Sequence, residues 1–292
     1  MSRQEYLSPE GLRLDGRRPG EVRRVRCRLG VLARADGSAM YEQGNTRVMA
    51  AVYGPREVTN RMEALPDRAL IKAELSSASF SASERKGKLR HDRRANELAL
   101  LVQEAFEAAV LVQLFPNSQI DIFLQILQVD GGRTAAAINA ATLALIDAGV
   151  PMRDFVVCCH AGFVENTPIV DLNYAEECSN CADMPVAILP NCGDAESTAA
   201  DGSAPMDDGE DDGEGASAAG ASVGGGSAGG ASAAGGGDSI VMMQLDRRLP
   251  LEHFASLVAV AADGARQIHA LLKEEVRQHT LALQDSRGSV AL

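Results

Sequence analysis

LQVDGGRTAAAINAATLALIDAGVPMRD, residues 127–154, decides the fold. An apolar run ends at Val129, Asp130-Gly131-Gly132 turns the chain, and a helix runs from about Thr134 to Asp147, closed by Gly149 with Pro151 beyond. The helix is rich in alanine, which suits close packing on a sheet. Paired glycines let backbone amides approach an anion at the helix N-terminus, where the helix dipole attracts it. The Lys-Ser/Thr pair of a P-loop is missing at the required spacing. Taken alone, Gly-Gly before a helix is more often a plain tight turn than a site.

Working outward, residues 120–129 (IDIFLQILQV) and 47–53 (RVMAAVY) read as strands, the first with Ile120, Ile122, Leu124 and Ile126 on one face. Between them, Leu98, Leu101, Val102, Ala105, Phe106, Ala109 and Val110 recur at three and four, a helix with Pro116 just past its end. Downstream, residues 154–164 and 168–172 are expected strands. MPVAILP (184–190) and IVMMQL (240–245) read as the arms of a hairpin, and residues 251 to about 283 as a long amphipathic helix. Strands and helices alternate with some hairpins, which favours a mixed α/β sandwich. Residues 193–238, Gly, Ala, Ser and acids with hardly a large apolar side chain, are expected to be a disordered insertion in the loop of that hairpin. The domain therefore comprises residues 1–192 and 239–292.

The net charge of -12 argues against nucleic acid until its distribution is considered. Residues 193–238 hold ten acids and no Lys or Arg, so the rest of the chain is close to neutral. The first 34 residues hold nine arginines against four acids, and a second basic run spans residues 85–94. RNA phosphates would dock at these runs, each of which reads equally well as a solvated charged face. Six cysteines without a regular framework, and no signal peptide or stretch able to span a bilayer, point to a reducing compartment and a soluble intracellular protein with no membrane partner.

Asp171 and Glu177, with Glu176 beside them, stand after a strand and could bind a metal or handle a proton, although six residues is no diagnostic spacing. Cys178 and Cys181 form a C-x-x-C, but zinc usually needs a second pair and only Cys192 is near, so no metal site is assigned. The five histidines lack ligand spacing, and His160, inside a hydrophobic strand, is expected to be a satisfied core residue.

Taken in order, Arg13-Leu14-Asp15-Gly16-Arg17-Arg18-Pro19, Gly44-Asn45-Thr46-Arg47, Ala51-Val52-Tyr53-Gly54-Pro55, Leu65-Pro66-Asp67-Arg68-Ala69 and the stretch 127–154 resemble ribonuclease PH-like proteins over nearly the whole chain outside the insertion. Ala-Val-Tyr-Gly-Pro and Asn-Ala-Ala-Thr-Leu-Ala-Leu are more similar to the exosome branch of that family than to the bacterial tRNA-trimming enzyme. The resemblance implies two βαβ-type halves like the ribosomal protein S5 domain 2-like fold. It also implies a six-membered ring with other ribonuclease PH-like subunits, exosome cap proteins as partners, and single-stranded RNA threaded through the channel in the nucleus, nucleolus and cytoplasm.

In active relatives inorganic phosphate is the co-substrate, with Mg2+ as a further candidate, and attacks the 3′-terminal phosphodiester to release nucleoside diphosphates. The resemblance places RNA binding on Arg61, Arg93 and Arg94. Phosphate binding falls on Gly131, Gly132, Arg133 and Thr134, and the two acidic positions on Asp171 and Glu177. Two departures bear on activity. Active members carry Ser-Arg or Thr-Arg after Gly-Gly, whereas the order here is Arg133-Thr134, and the second aspartate is Glu177. The expectation is therefore a ring subunit with little or no catalysis of its own, with a working phosphorolytic exoribonuclease and a bare scaffold as the alternatives.

Overall fold

The quoted stretch folds as strand, turn and helix, and the helix lies at the centre of everything else. In a computed structural model of the chain, residues 6–8, 10–58, 60, 62, 64–82, 85, 92–164, 167–179, 181–191 and 238–290 are described. The elements are β1 (Val25–Leu29), β2 (Gly37–Gln43), β3 (Thr46–Glu57), β4 (Leu70–Ser77), α1 (Arg93–Ala109), β5 (Ser118–Gln128), α2 (Arg133–Asp147), β6 (Val157–Val164), β7 (Thr167–Val170), α3 (Tyr174–Glu177), β8 (Ala182–Leu189), β9 (Ser239–Met243) and α4 (Leu251–Val290). One sheet has the order β1-β2-β3-β5-β4 and the other β7-β6-β8-β9. The first is antiparallel except where β4 and β5 run parallel on either side of the α1 crossover. The second is antiparallel throughout and is followed by α4. Each of the three long helices touches strands of both sheets, so the helices form the middle layer. No described helix is long and apolar enough to cross a membrane.

Burial explains the composition of α2. Every residue from Thr134 to Leu145 is buried, because the helix faces β2 and β3 on one side and β6 on the other. Alanine lets both sheets approach, and two of the three polar residues inside, Asn139 and Thr142, answer specific backbone groups of β6 and the residue before it. β7 pairs only with residues 161–164 of β6, and beyond that reach Asn139 takes the place of a strand. Its Nδ2 donates to the Cys158 carbonyl and its Oδ1 accepts from the Cys158 amide, each at 2.9 Å. Thr142 Oγ1 donates to the Val156 carbonyl at 2.7 Å. The Asn-Ala-Ala-Thr sequence is thus a helix-to-strand splice.

The buried face of α1 is Leu98, Val102, Ala105, Phe106 and Ala109, as the spacing predicts. The β8–β9 hairpin also forms, with Leu189 paired to Ser239. Residues 193–237, read above as a disordered insertion, lie outside the described residues; Asp238, the last of that stretch, is described and pairs with Arg266. Strands β1, β2 and β4 are additional to the sequence reading. Arginines alternate through β1 (VRCRL), β2 (GSAMYEQ) has no β-branched residue, and β4 (LIKAELSS) has the composition of a helix.

The N-terminal segment is clasped to the second sheet by two buried ion pairs. Arg13 has no exposed side-chain surface; it grips Glu176 with Nε and Nη2 and donates to the Val170 and Asp171 carbonyls at 2.6 and 2.8 Å. Arg23 grips Asp171 through its backbone amide, Nε and Nη2 at 2.8, 2.9 and 2.7 Å. Arg17 adds a bond to the Asp171 carbonyl at 3.1 Å. Three arginines read above as candidate RNA contacts are therefore occupied inside the fold, because burying a carboxylate demands a hydrogen-bonded cation.

Burial alone would raise the Asp171 carboxyl, but the hydrogen bonds and charge of Arg23, with Arg17 behind it, outweigh that and hold it below its ordinary value. A carboxyl depressed in the folded state stabilises the fold fully above its unfolded value of about 4. That contribution disappears as pH falls through the lower folded value. Urea unfolding of the wild type should therefore show a loss of stability below about pH 4 that Asp171→Asn, less stable at neutral pH, shows only weakly. Arg13→Ala, which leaves the buried Glu176 without its cation, should cost about 3–5 kcal/mol at pH 7 by the same measurement.

Candidate functional site

The turn between β5 and α2 is built from three directions. Gly131 and Gly132 both take left-handed backbone, at φ 79° and 64°. At Gly131 a Cβ would stand 2.3 Å from the Leu172 carbonyl oxygen, so only glycine lets the loop after β7 come this close. From the tight turn between β2 and β3, Thr46 Oγ1 donates to the Gly131 carbonyl at 2.8 Å and accepts from the Asp130 amide at 3.1 Å. Asn45 Nδ2 donates to Asp130 Oδ2 at 3.0 Å. Arg23 reaches the Asp130 and Gly131 carbonyls from the remaining side. The Gly44-Asn45-Thr46 motif thus anchors the turn, a role that needs the fold to be seen.

Gly132 caps α2 with no side-chain cap, so the first amides of the helix have no acceptor within it and point at whatever stands before the turn. Arg133 is half-buried and has no side-chain partner among the described residues, leaving a cation beside that helix end. Thr134 is buried. Adjacent helical positions differ by about 100° in direction, so the guanidinium and the hydroxyl address different spaces.

Behind Gly132 lies a packed cluster of titratable groups, Arg23, Asp171 and His160. A Cβ on Gly132 would meet Arg23 at 3.3 Å, Asp171 Oδ1 at 3.8 Å and His160 Cβ at 3.9 Å. Asp171, at φ 55°, donates its amide to the His160 carbonyl at 2.6 Å. His160 differs from the satisfied core residue expected: its Nδ1 is buried with no partner, and its Nε2 stands 3.9 Å from Asp183 Oδ2. Burial lowers the His160 pKa against the opposing pull of Glu177, Asp171 and Asp246. Glu177, on α3, has a buried Oε2 that is also without a partner. Burial and the Asp246 charge raise the Asp183 carboxyl. His160 and Asp183 were not assigned to a site from sequence, because the β6–β8 pairing that brings them together links residues more than twenty apart.

The structure therefore brings together Gly131, Gly132, Asp171 and, through its charge on His160, Glu177. It separates their roles: both Asp171 oxygens are held by Arg23, whereas Glu177 keeps a free one. Arg93 and Arg94 are exposed in the first turn of α1, where Arg93 pairs with Glu97 at 2.9 Å. The C-terminal end of α1 meets the loop after α2 through the Leu111–Pro151 and Arg153–Ala109 bonds, so the two helices start at the same end of the molecule. Arg61 lies outside the described residues. Among the described residues no three His, Cys, Asp or Glu are arranged to hold a metal ion, and with Asp171 engaged by arginine the residues present do not fit Mg2+. Cys178 is exposed and Cys181 buried, its Sγ donating to the Glu176 carbonyl at 3.0 Å.

Residues 21–151 match the model of the 3′ exoribonuclease family, domain 1, of ribonuclease PH. The chain is 42% identical to the exosome complex component RRP41 of Homo sapiens over 280 residues, 96% of each chain. It is 40% identical to the RRP41 homolog of Arabidopsis thaliana over 98% of this chain and all of that one. It is 44% identical to Rrp41 of Pyrococcus furiosus over 97% of this chain and 98% of that one. Rice (Oryza sativa) Rrp46 shares the fold with a TM-score of 0.66 at 22% identity, covering 90% of this chain and all of that one. A chain of the Archaeoglobus fulgidus exosome, solved with RNA bound to the active site, does so at 0.64 and 20% identity, covering 89% of this chain and 92% of that one. With relatives this similar over nearly their full length, the chain belongs to the ribonuclease PH family.

Proposed function

We propose that the chain is an exosome-type ring subunit that binds and threads single-stranded RNA for 3′→5′ processing and contributes little phosphorolysis itself. Its partners are related subunits of a six-membered ring and the proteins that cap it, in the nucleus, nucleolus and cytoplasm. The near full-length likeness to RRP41 proteins supports the assembly. The observation that carries the reading of activity is the α2 end: the turn that presents backbone amides is intact, but Thr134 stands buried where active relatives place an arginine. Without that guanidinium the site lacks a bidentate hold on phosphate.

A second reading, an active phosphorolytic exoribonuclease, draws on Glu177. Its unpartnered oxygen is the kind of group that could deliver a proton to the leaving 3′ oxygen as phosphate attacks the terminal phosphorus and the P–O3′ bond breaks. Arg133 would then have to turn toward the phosphate. Inorganic phosphate is the co-substrate in this reading, and no metal-dependent step is included.

In a ring reconstituted with related subunits, phosphate-dependent release of nucleoside diphosphates from oligo(A) separates the two readings. The wild type should release little. Combining Arg133→Thr, Thr134→Arg and Glu177→Asp should raise the rate by at least tenfold, about 1.4 kcal/mol of transition-state stabilisation. A wild-type ring that trims RNA only with phosphate, and stops on Glu177→Gln, would establish the second reading instead.

Replacing both Arg93 and Arg94 with alanine should weaken RNA binding by the ring. It should also lower the salt dependence by about 0.7 log units for each single-strand phosphate no longer neutralised, read by titration across a salt series. Unchanged binding would leave the chain as a scaffold.

A further inference from the structure

The edge strand β1 carries a feature that neither the turn at α2 nor the clasp uses. Exposure alternates from the residue before it to its end: Arg24, just ahead of the strand, and Arg26 and Arg28 within it are exposed, whereas Val25, Cys27 and Leu29 are half-buried on the side that meets α4. Glu275 of α4 acts on Cys27, on that inner side. Among the described residues none of the three guanidinium groups has a hydrogen-bond or carboxylate partner. The nearest acid across the sheet, Glu42 opposite Arg26, is already in reach of Arg47 at 3.6 Å, and Arg28 faces Met40. Side chains on one face of a strand repeat about every 6.6 Å, so Arg26 and Arg28 stand as neighbouring unneutralised cations, and Arg24 continues their alternation one residue ahead of the strand.

Such a row is self-repelling until an anion lies along it, and a regular spacing fits a polyanion with a regular charge repeat better than a single phosphate or carboxylate. The same outer face of the sheet continues to Tyr53 and Phe123, packed edge to face at 5.7 Å, with Phe123 38% exposed. Arg56 stands over the Tyr53 ring at 5.9 Å. Cations along a backbone track and exposed rings on the adjoining surface are what a single-stranded nucleic acid requires of a sequence-tolerant surface.

We infer that the outer face of β1, through Arg24, Arg26 and Arg28, is a backbone track for single-stranded RNA, separate from the turn at α2. This rests on the RNA-binding function proposed above and adds a second binding region to it. A long RNA engages both, whereas a short one can be held at the α2 end alone.

The test uses the full chain with oligo(A) of 30 and of 6 nucleotides, comparing the wild type with a triple Arg→Gln variant at 24, 26 and 28. A triple Arg→Lys variant keeps the charge. With the 30-mer, the slope of log affinity against log salt should fall by about 2 units in the Gln variant, three phosphates at about 0.7 each, and be restored with Lys. The 6-mer should bind all three alike. Thermal unfolding should not separate the variants, since the three residues are exposed and their guanidinium groups have no polar partner among the described residues. A wild type that binds neither RNA would remove the proposed function itself. A wild type that binds both, with the Gln variant matching it on the 30-mer at every salt concentration, would overturn the track alone. Tighter binding of polyglutamate than of the 30-mer, lost in the Gln variant, would overturn it in favour of an acidic protein partner.

Discussion

A helix with no solvent face governs this molecule. α2 lies between two sheets, so each of its positions must satisfy a neighbour, and its axis cannot tilt toward one sheet without opening a gap at the other. That double packing fixes where the helix begins. The turn at Gly131-Gly132 is then held by groups from both halves: Thr46 and Asn45 from one sheet, the loop after β7 from the other, and Arg23 from the segment laid across them. The site is therefore as rigid as the core, although its residues come from loops. Binding geometry of this kind is preorganised by packing well away from the ligand.

Much of this was legible in the sequence. The 127–154 stretch declares its strand, turn and helix because each carries a local signal: apolar alternation, paired glycines, and alanine at every depth followed by Gly149 and Pro151. α1 and the β8–β9 hairpin are read for the same reason. The strands that escaped, β1, β2 and β4, take their identity from neighbours rather than from composition. β1 is held by β2 and covered by α4, and nothing in Val-Arg-Cys-Arg-Leu announces either. At the site, residue types and their approximate grouping were legible through the family resemblance. The division of labour between two carboxylates was not. Asp171 and Glu177 look equivalent on the page, yet one is held in the grip of Arg23 and the other keeps an unpartnered oxygen.

The arginines teach the same lesson about charge. A run of nine in the first 34 residues reads as one basic segment. Apart from Arg3, which lies outside the described residues, folding sorts it into cations that neutralise buried carboxylates (Arg13, Arg17 and Arg23) and cations that face water (Arg18, Arg24, Arg26, Arg28 and Arg34). Only the second group contributes to the external field, so the electrostatic surface near the N-terminus is less positive, and more finely patterned, than a count along the chain suggests.

The register of the β8–β9 hairpin has a bearing on how such a chain can change over generations. Leu189 faces Ser239, Asn191 donates its amide to Asp154 at 2.7 Å, and Arg266 holds Asp238, so the two ends of the acidic stretch are pinned side by side by bonds at its edges. Lengthening whatever lies between pinned ends costs only about 0.6 kcal/mol for each doubling. β8 begins at Ala182, next to Asp183, and those ends lie at its far end, about 23 Å along an eight-residue strand. The hairpin is thus a tolerant port: a lineage can add sequence there, or an experimenter splice in a reporter domain, without disturbing the turn at α2.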